Sequence, residues 1–147
     1  MTGGYGGVMA VASRAAAEAG GKVIGLPMSG WTGLRPNEWN HELRWSGTYP
    51  ERLAHLLAAD AVVVLDGGIG TLSEAAVVWA ALQTEPGAAD LIFLGAGWPP
   101  LLELLATYLV VDERDLGLVT VCADPQLVIA HISQNHSRRQ PTASPRG

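Results

Sequence analysis

The sequence has few charged residues and almost no cysteine. Charged residues make up 16% of its 147 residues, and the formal net charge is -5 at pH 7. A surface that coats nucleic acid needs clustered lysine and arginine, so this balance argues against nucleic acid as a partner. A single phosphate is not excluded, because a helix N-terminus and backbone amides can bind one on an acidic protein.

Cys122 is the only cysteine, which excludes an internal disulfide and any zinc site built on cysteine pairs. Its apolar surroundings, Val119 to Cys122, favour a buried strand cysteine over a nucleophile. The four histidines have no metal-like spacing, so no metal site is predicted. The sequence shows no secretory pattern and no apolar run long enough to span a bilayer, so we expect a cytoplasmic protein without a membrane partner.

Hydrophobic residues make up 48% of the chain, and they occur in alternating helix-like and strand-like segments. Helices are predicted over residues 9–19, 50–59, 70–84, 99–110 and 125–134, and strands over 22–27, 61–65, 91–94 and 119–122. Alternation of this kind indicates parallel βαβ units. We expect one domain over residues 1–136 and a flexible tail over residues 137–147.

One long segment, from Met28 to Tyr49, does not follow the alternation. It contains Trp31, Trp39 and Trp45 and has no clear hydrophobic period. Long irregular segments inside compact domains are usually functional or disordered, and tryptophans argue against disorder. The expectation is a loop over the functional site.

The strongest motif follows the β-branched run that ends at Leu65. It is a glycine turn leading into a helix, formed by Asp66, Gly67, Gly68, Ile69, Gly70 and Thr71. Glycines let the backbone approach a phosphate, and free amides at a helix start favour negative charge. The alternative is a turn that needs glycine only for its geometry. Thr71, a possible hydroxyl donor, and Glu74, one turn into the helix, favour a phosphate site.

A second glycine block, which includes Gly4, Gly6 and Gly7, precedes the first helix in the same way. Loops at the starts of helices in one parallel sheet lie at neighbouring strand ends, where ligands of α/β proteins bind. Neither loop is an NAD fingerprint, because no acidic residue ends the next strand. The GxxxxGK[ST] motif of ATP-cleaving P-loops is also missing from the sequence.

The run from Gly67 to Glu74 resembles the PGGxGTxxE signature of the lonely-guy (LOG) family, long described as lysine decarboxylases. The block from Gly3 to Met9, followed by the stretch from Ala19 to Gly25, resembles the family's other signature, and the similarity extends to about Ile132. Characterised members are cytokinin riboside 5′-monophosphate phosphoribohydrolases. The broader group includes Rossmann-like nucleotide sensors and a molybdenum cofactor carrier protein.

The resemblance implies a Rossmann-like, doubly wound parallel sheet in three α/β/α layers, usually dimeric, that binds a phosphorylated small molecule. In hydrolytic members an arginine and the motif glutamate cleave an N-glycosidic bond. Glu74 matches that glutamate, and Arg52 is the candidate arginine, although it lies one residue out of register. The alternatives for Arg52 are pairing with Glu51 or exposure to solvent. No resident cofactor is implied.

The sequence departs from the family pattern at two points. Asp66 replaces the signature proline and places a negative charge beside the predicted phosphate site. The family's opening β-α-β stretch is also absent, which leads us to expect a fragment or a late-started gene model.

Three functions remain open at this point. The first is a nucleoside 5′-monophosphate phosphoribohydrolase in which Glu74 and Arg52 are catalytic and the glycine loop holds the phosphate. The second is a non-catalytic carrier or sensor of a phosphorylated nucleotide or pterin cofactor. The third, ranked last, is an interaction module whose glycine loops serve geometry alone.

Overall fold

The computed structural model of the chain describes residues 1–139. These residues fall into two compact units, Met1–Ala58 and the part of the chain from Ala59 onward. Each unit contains parallel strands and helices.

The first unit contains α1 (Val8–Glu18), β1 (Ile24–Gly25), β2 (Glu42–Leu43) and α2 (Tyr49–Leu57). The strands pair in parallel, with Ile24 opposite Glu42 and Gly25 opposite Leu43. On the other side of β1, Thr2 forms a parallel bridge with Gly25. The chain around β1 therefore has a neighbour on both sides, although its regular part is shorter than the predicted strand.

The segment from Met28 to Tyr49 is more regular than the sequence indicated. It contributes β2 and a further parallel bridge between Met28 and Ser46. The expectation of an irregular loop was therefore wrong for this part of the segment. A two-residue strand is too short for any alternation of apolar residues to reveal it, so its pairing partner defines it.

Helix α2 begins with a capping box. The Thr48 hydroxyl accepts a hydrogen bond from the Glu51 amide, and the Glu51 carboxylate accepts from the Thr48 amide at 3.2 Å. Pro50 occupies the first turn, where its missing N–H costs nothing. These local signals explain why the start of this helix was predictable from sequence.

The second unit contains β3 (Ala61–Val64), α3 (Ile69–Thr84), β4 (Asp90–Leu94), α4 (Trp98–Tyr108), α5 (Glu113–Leu116), β5 (Val119–Cys122) and α6 (Pro125–Arg139). Its three strands form a parallel sheet in the order β3-β4-β5. All three strands were predicted, whereas the short helix α5, which Asp112 and Asp115 cap reciprocally, was not.

Strand β4 is the centre of this unit, because helices cover both of its faces. On one face Phe93 contacts Trp79 of α3 and Trp98 of α4, with ring centroids 6.5 and 4.9 Å apart. On the other face Ile92 packs with Cys122 and with Val128 of α6. The predicted α/β fold of Rossmann-like type is confirmed, and Cys122 is a buried free cysteine as expected.

Helix α6 continues beyond its predicted end near Gln134 and reaches Arg139. Residues 137–139 are therefore helical rather than part of a flexible tail, because the first helix-breaking residue in this region is Pro141. The remainder of the predicted tail, residues 140–147, lies outside the described residues. Over the described range, no helix combines the length and the apolar character that crossing a bilayer requires.

Candidate functional site

The glycine loop lies at the carboxyl end of β3 and leads directly into α3. Gly68 is the N-cap residue and supplies no side-chain cap. Among the hydrogen bonds of residues 1–139, none uses the main-chain N–H of Ile69, Gly70 or Thr71 as donor. These three amides are therefore available to an anion at the positive end of the helix dipole.

The glycines of this loop have different steric surroundings. A Cβ on Gly67 would lie 2.1 Å from Oγ1 of Thr71, so only glycine fits there without movement of the loop. Cβ atoms on Gly68 and Gly70 would meet nothing within 4 Å. Gly67 thus serves packing of the loop against Thr71, while Gly68 and Gly70 leave space over the backbone for a ligand to approach.

Asp66, which stands where the family signature has proline, is directed toward the next strand-to-helix loop. A Cβ on Gly95 would lie 2.8 Å from Oδ1 of Asp66, so the carboxylate rests against this glycine at the end of β4. Gly95 itself has φ 136°, a conformation that L side chains rarely adopt. Sequence reasoning did not single out Gly95, whose importance depends on a contact between adjacent strand ends.

Glu74 is partly buried and lies beyond the first turn of α3. The first turn of α3 contains no acidic residue. Complementing the helix dipole is therefore a poor explanation for Glu74, because the effect of the dipole falls off within the first turn. Its neighbour Ser73 donates a hydrogen bond to the Gly70 carbonyl at 3.1 Å, which ties this turn to the glycine loop.

The first glycine block belongs to the first unit and is held by two asparagines. The Gly4 amide donates to Oγ1 of Thr2 at 3.1 Å, and the Gly4 carbonyl accepts from Asn37 and Asn40. The Gly4 amide is therefore occupied by protein, and Gly4 itself is buried with φ 83°. Gly6 and Gly7 are exposed, and Gly7 is the N-cap of α1, which leaves them as the accessible glycines of this block.

Arg52 is the buried residue of α2, only 5% exposed. Its guanidinium donates to the Leu26 carbonyl and lies over the ring of Trp31, with Cζ 5.4 Å from the ring centroid. Glu51 instead uses its carboxylate on the amides of Gly47 and Thr48. Neither alternative weighed from the sequence, a solvent-exposed arginine or a partner of Glu51, describes these contacts.

Trp31 stands at the edge of an aromatic group in the first unit. Its ring centroid lies 5.7 Å from that of Tyr5, and Trp31 keeps 43% of its surface exposed. Tyr5 is buried, and its hydroxyl accepts a hydrogen bond from the Met28 amide at 2.8 Å. Trp31, one of the three tryptophans of the Met28 to Tyr49 segment, therefore contacts both Arg52 and Tyr5.

The predicted site residues are thus divided between the units. Gly67, Gly68, Ile69, Gly70, Thr71 and Glu74 surround the start of α3 in the second unit, and Gly4, Gly6, Gly7 and Arg52 belong to the first. Within residues 1–139, no three His, Cys, Asp or Glu side chains are grouped to hold a metal ion.

Parallel strands, helices on both sheet faces and a glycine loop at a strand end define a Rossmann-like α/β protein. Residues 9–132 match the family described as "Possible lysine decarboxylase". The chain therefore belongs to this family, which is the lonely-guy family that its two glycine blocks resemble.

Two solved structures of similar fold are molybdenum cofactor proteins. The molybdenum cofactor carrier protein of Chlamydomonas reinhardtii is 27% identical, with a TM-score of 0.67 over 89% of this chain and 72% of that one. The molybdenum cofactor binding protein of the phototrophic bacterium Rippkaea orientalis is also 27% identical, with a TM-score of 0.70 over 90% of this chain and 74% of that one. No protein with curated annotation matches the chain.

Proposed function

We propose that the chain is a non-catalytic carrier or sensor that holds the phosphate of a pterin-type molybdenum cofactor, or of a similar nucleotide, on the glycine loop. The observation that carries this proposal is the set of uncapped amides of Ile69, Gly70 and Thr71 at the start of α3. The molybdenum cofactor proteins of similar fold support the choice of ligand. The cofactor is cargo in this reading, so no step of chemistry is required of Glu74.

The loop suits a phosphate for electrostatic reasons. A hydrogen bond from an amide to a charged oxygen contributes about 1.5–3 kcal/mol, and the helix dipole adds roughly 0.3–1 kcal/mol at an exposed site. The Thr71 hydroxyl, packed against Gly67, offers a further donor close to these amides. An anion could therefore be held by neutral donors on a protein of net charge -5.

A direct test is retention of pterin after gel filtration of protein incubated with the extracted molybdenum cofactor. We expect wild-type protein to retain it saturably and Gly70→Asp to lose it, because the new carboxylate would project into the space over the loop. Ser133→Asp adds the same charge on an exposed position of α6 and should retain the pterin. Equal retention by wild type and Gly70→Asp would refute the carrier function at this loop.

The second candidate is hydrolysis of a nucleoside 5′-monophosphate, favoured by the position of Glu74 beyond the first turn of α3. Water would add to C1′ of the ribose while the N-glycosidic bond breaks and the base leaves with a proton. In this mechanism Glu74 stabilises the positive charge that develops on the ribose ring.

The two candidates are separated by incubating the protein with a panel of nucleoside monophosphates and measuring free base by chromatography. The hydrolase is supported if the wild type releases base and Glu74→Gln releases none while it keeps its affinity for the nucleotide. Saturable binding without base supports the carrier. Unchanged turnover in Glu74→Gln would exclude the catalytic role of that carboxylate.

We further propose that the protein acts in the cytoplasm as a homodimer. Support for association comes from the exposed apolar residues at the end of α4, where Tyr108 is 77% exposed and Leu109 is 58% exposed. Contiguous exposed apolar surface of this kind often marks an interface. Light scattering on the wild type and on Tyr108→Ser should show a dimer weakened by the substitution; a wild-type monomer at high concentration would exclude it.

A further inference from the structure

The carboxylate of Asp66 lies between two neighbouring strand-to-helix loops of the second unit. Asp66 comes shortly after β3, and a Cβ on Gly95, which follows β4, would lie only 2.8 Å from its Oδ1 atom. Asp66 is exposed, and within residues 1–139 no hydrogen bond or ion pair engages its side chain. The carboxylate is therefore an acceptor that this part of the chain leaves available to a ligand.

The two loops lead into helices that differ in the donors of their first turns. Helix α3 begins with Ile69, Gly70 and Thr71, and each of these residues has a main-chain N–H group. Two of the first three residues of α4, Pro99 and Pro100, have none. A phosphate at this edge of the sheet is therefore better held at the start of α3 than at the start of α4.

The loop after β4 leaves room for the rest of such a ligand. Gly97 is exposed, and a Cβ there would meet no protein atom within 4 Å. Strands β3 and β4 are paired in parallel, so their carboxyl ends lie at the same edge of the sheet, roughly 5 Å apart. A ligand with its phosphate at the start of α3 and its body extended toward β4 therefore passes the Asp66 carboxylate.

A carboxylate in this position discriminates between phosphorylated ligands by the groups that they carry beside the phosphate. It repels the phosphate itself, and this repulsion weakens with distance and with salt. A hydroxyl group on the ligand can donate to the carboxylate, and hydrogen bonds to charged groups are stronger than those between neutral groups. A ligand with such a hydroxyl offsets the repulsion, whereas a purely apolar body does not.

We propose that Asp66 is a specificity-determining residue of the phosphate site, which selects phosphate monoesters that carry hydroxyl groups next to the phosphate, as sugar phosphates do. This inference rests on the proposed binding of a phosphate at the glycine loop. Among the ligands of that proposal it favours the nucleotide, whose ribose carries hydroxyl groups. The selection belongs to this chain in particular, because the proline of the family signature has no side-chain acceptor at this position.

The test measures the affinity of the full chain for inorganic phosphate, D-ribitol 5-phosphate and n-pentyl phosphate by isothermal calorimetry. The two esters have carbon chains of equal length and differ in their hydroxyl groups. EDTA in the buffer removes divalent cations that could bridge the carboxylate and the phosphate. We expect wild-type protein to bind ribitol 5-phosphate roughly tenfold more tightly than pentyl phosphate, since one hydrogen bond to a charged group is worth about that factor.

Two variants assign this preference to Asp66. Asp66→Ala should lose most of it and bind inorganic phosphate and pentyl phosphate no more weakly than wild type, because the variant lacks both the acceptor and its repulsion. Glu103→Gln removes a negative charge from an exposed position farther along α4 and should keep the preference.

The outcomes separate this inference from the function on which it rests. Equal affinity of wild type for the two esters, or a preference that Asp66→Ala leaves unchanged, would overturn the role of Asp66 and leave the phosphate site in place. If wild type binds none of the three probes, the phosphate site itself is refuted, and the role of Asp66 with it.

Discussion

The side chain of Thr71 occupies the space that a Cβ on Gly67 would need, with only 2.1 Å between that position and Oγ1 of Thr71. Gly67→Ala must therefore displace Thr71 or the turn itself. We expect the free energy of unfolding to fall by about 1–3 kcal/mol, as in other overpacked sites. Phosphate affinity should fall with it, and urea denaturation with phosphate titration measures both.

Gly70→Ala provides the contrast, because its Cβ would meet no protein atom within 4 Å. Replacing a helical glycine by alanine should raise the free energy of unfolding by up to about 1 kcal/mol. The same methyl group would stand where a phosphate approaches, so phosphate binding should weaken although the protein is more stable. Unchanged phosphate affinity in this variant would mean that the anion does not approach Gly70.

Asp66→Asn should strengthen phosphate binding. The substitution keeps the shape of the side chain against Gly95 and removes an exposed negative charge near the anion. We expect a gain of roughly threefold to tenfold in low salt, smaller at high salt because of screening. Glu103→Gln, on an exposed position of α4, controls for net charge. Affinity that is unaltered by Asp66→Asn would show that its carboxylate does not act on the anion.

Arg52→Met should destabilise the protein more than Arg52→Lys. The methionine removes the donor to the Leu26 carbonyl, a loss of about 1–3 kcal/mol for a buried acceptor. Lysine keeps the charge but loses the planar group that lies over Trp31. Urea denaturation measures both variants, with Arg14→Gln as the control, since Arg14 is exposed, pairs with Glu18 and also lies over a tryptophan ring, that of Trp39. Equal stability of all three would contradict a structural role for Arg52.

Stability at acid pH should depend on Glu42. Hydrogen bonds from Lys22 and Arg44 lower the pKa of its carboxyl from 4.5 to about 2. A lowered pKa in the folded state stabilises the protein above pH 4.5, and this contribution is lost as the pH falls toward 2. Thermal midpoints of Glu42→Gln should therefore vary less than wild type across that window, most clearly in low salt. Parallel curves would rule out this linkage.

The elements that sequence reasoning predicted well are those with strong local signals. The β-branched run of β3 indicated a parallel strand, and proline in the first turn indicated the start of α2. That strand was expected to be central, whereas it lies at the end of the three-stranded sheet in the order β3-β4-β5. The glycine loop was located correctly at a strand-to-helix turn, because its glycines are adjacent in sequence.

Features that depend on distant residues were not predictable. Strand β2 exists through its pairing with β1, and the contact of Asp66 with Gly95 joins the ends of neighbouring strands. The burial of Arg52 was also missed, because α2 presents an arginine inward where the apolar pattern pointed to leucines. Each of these depends on which segments meet after folding, a property that local patterns do not contain.

The carbonyl oxygen of Gly4 accepts three N–H groups, from the Asn37 amide at 2.7 Å and from the side chains of Asn37 and Asn40 at 3.0 Å each. Asn37 supplies two of these donors, and it also accepts hydrogen bonds from the Trp39 amide and the Asn40 side chain, so movement of Asn37 breaks the contacts of the whole stretch. Opening of this stretch is therefore an all-or-none event. Its amides should exchange with deuterium as one group, at a rate shared with the turn around Gly4.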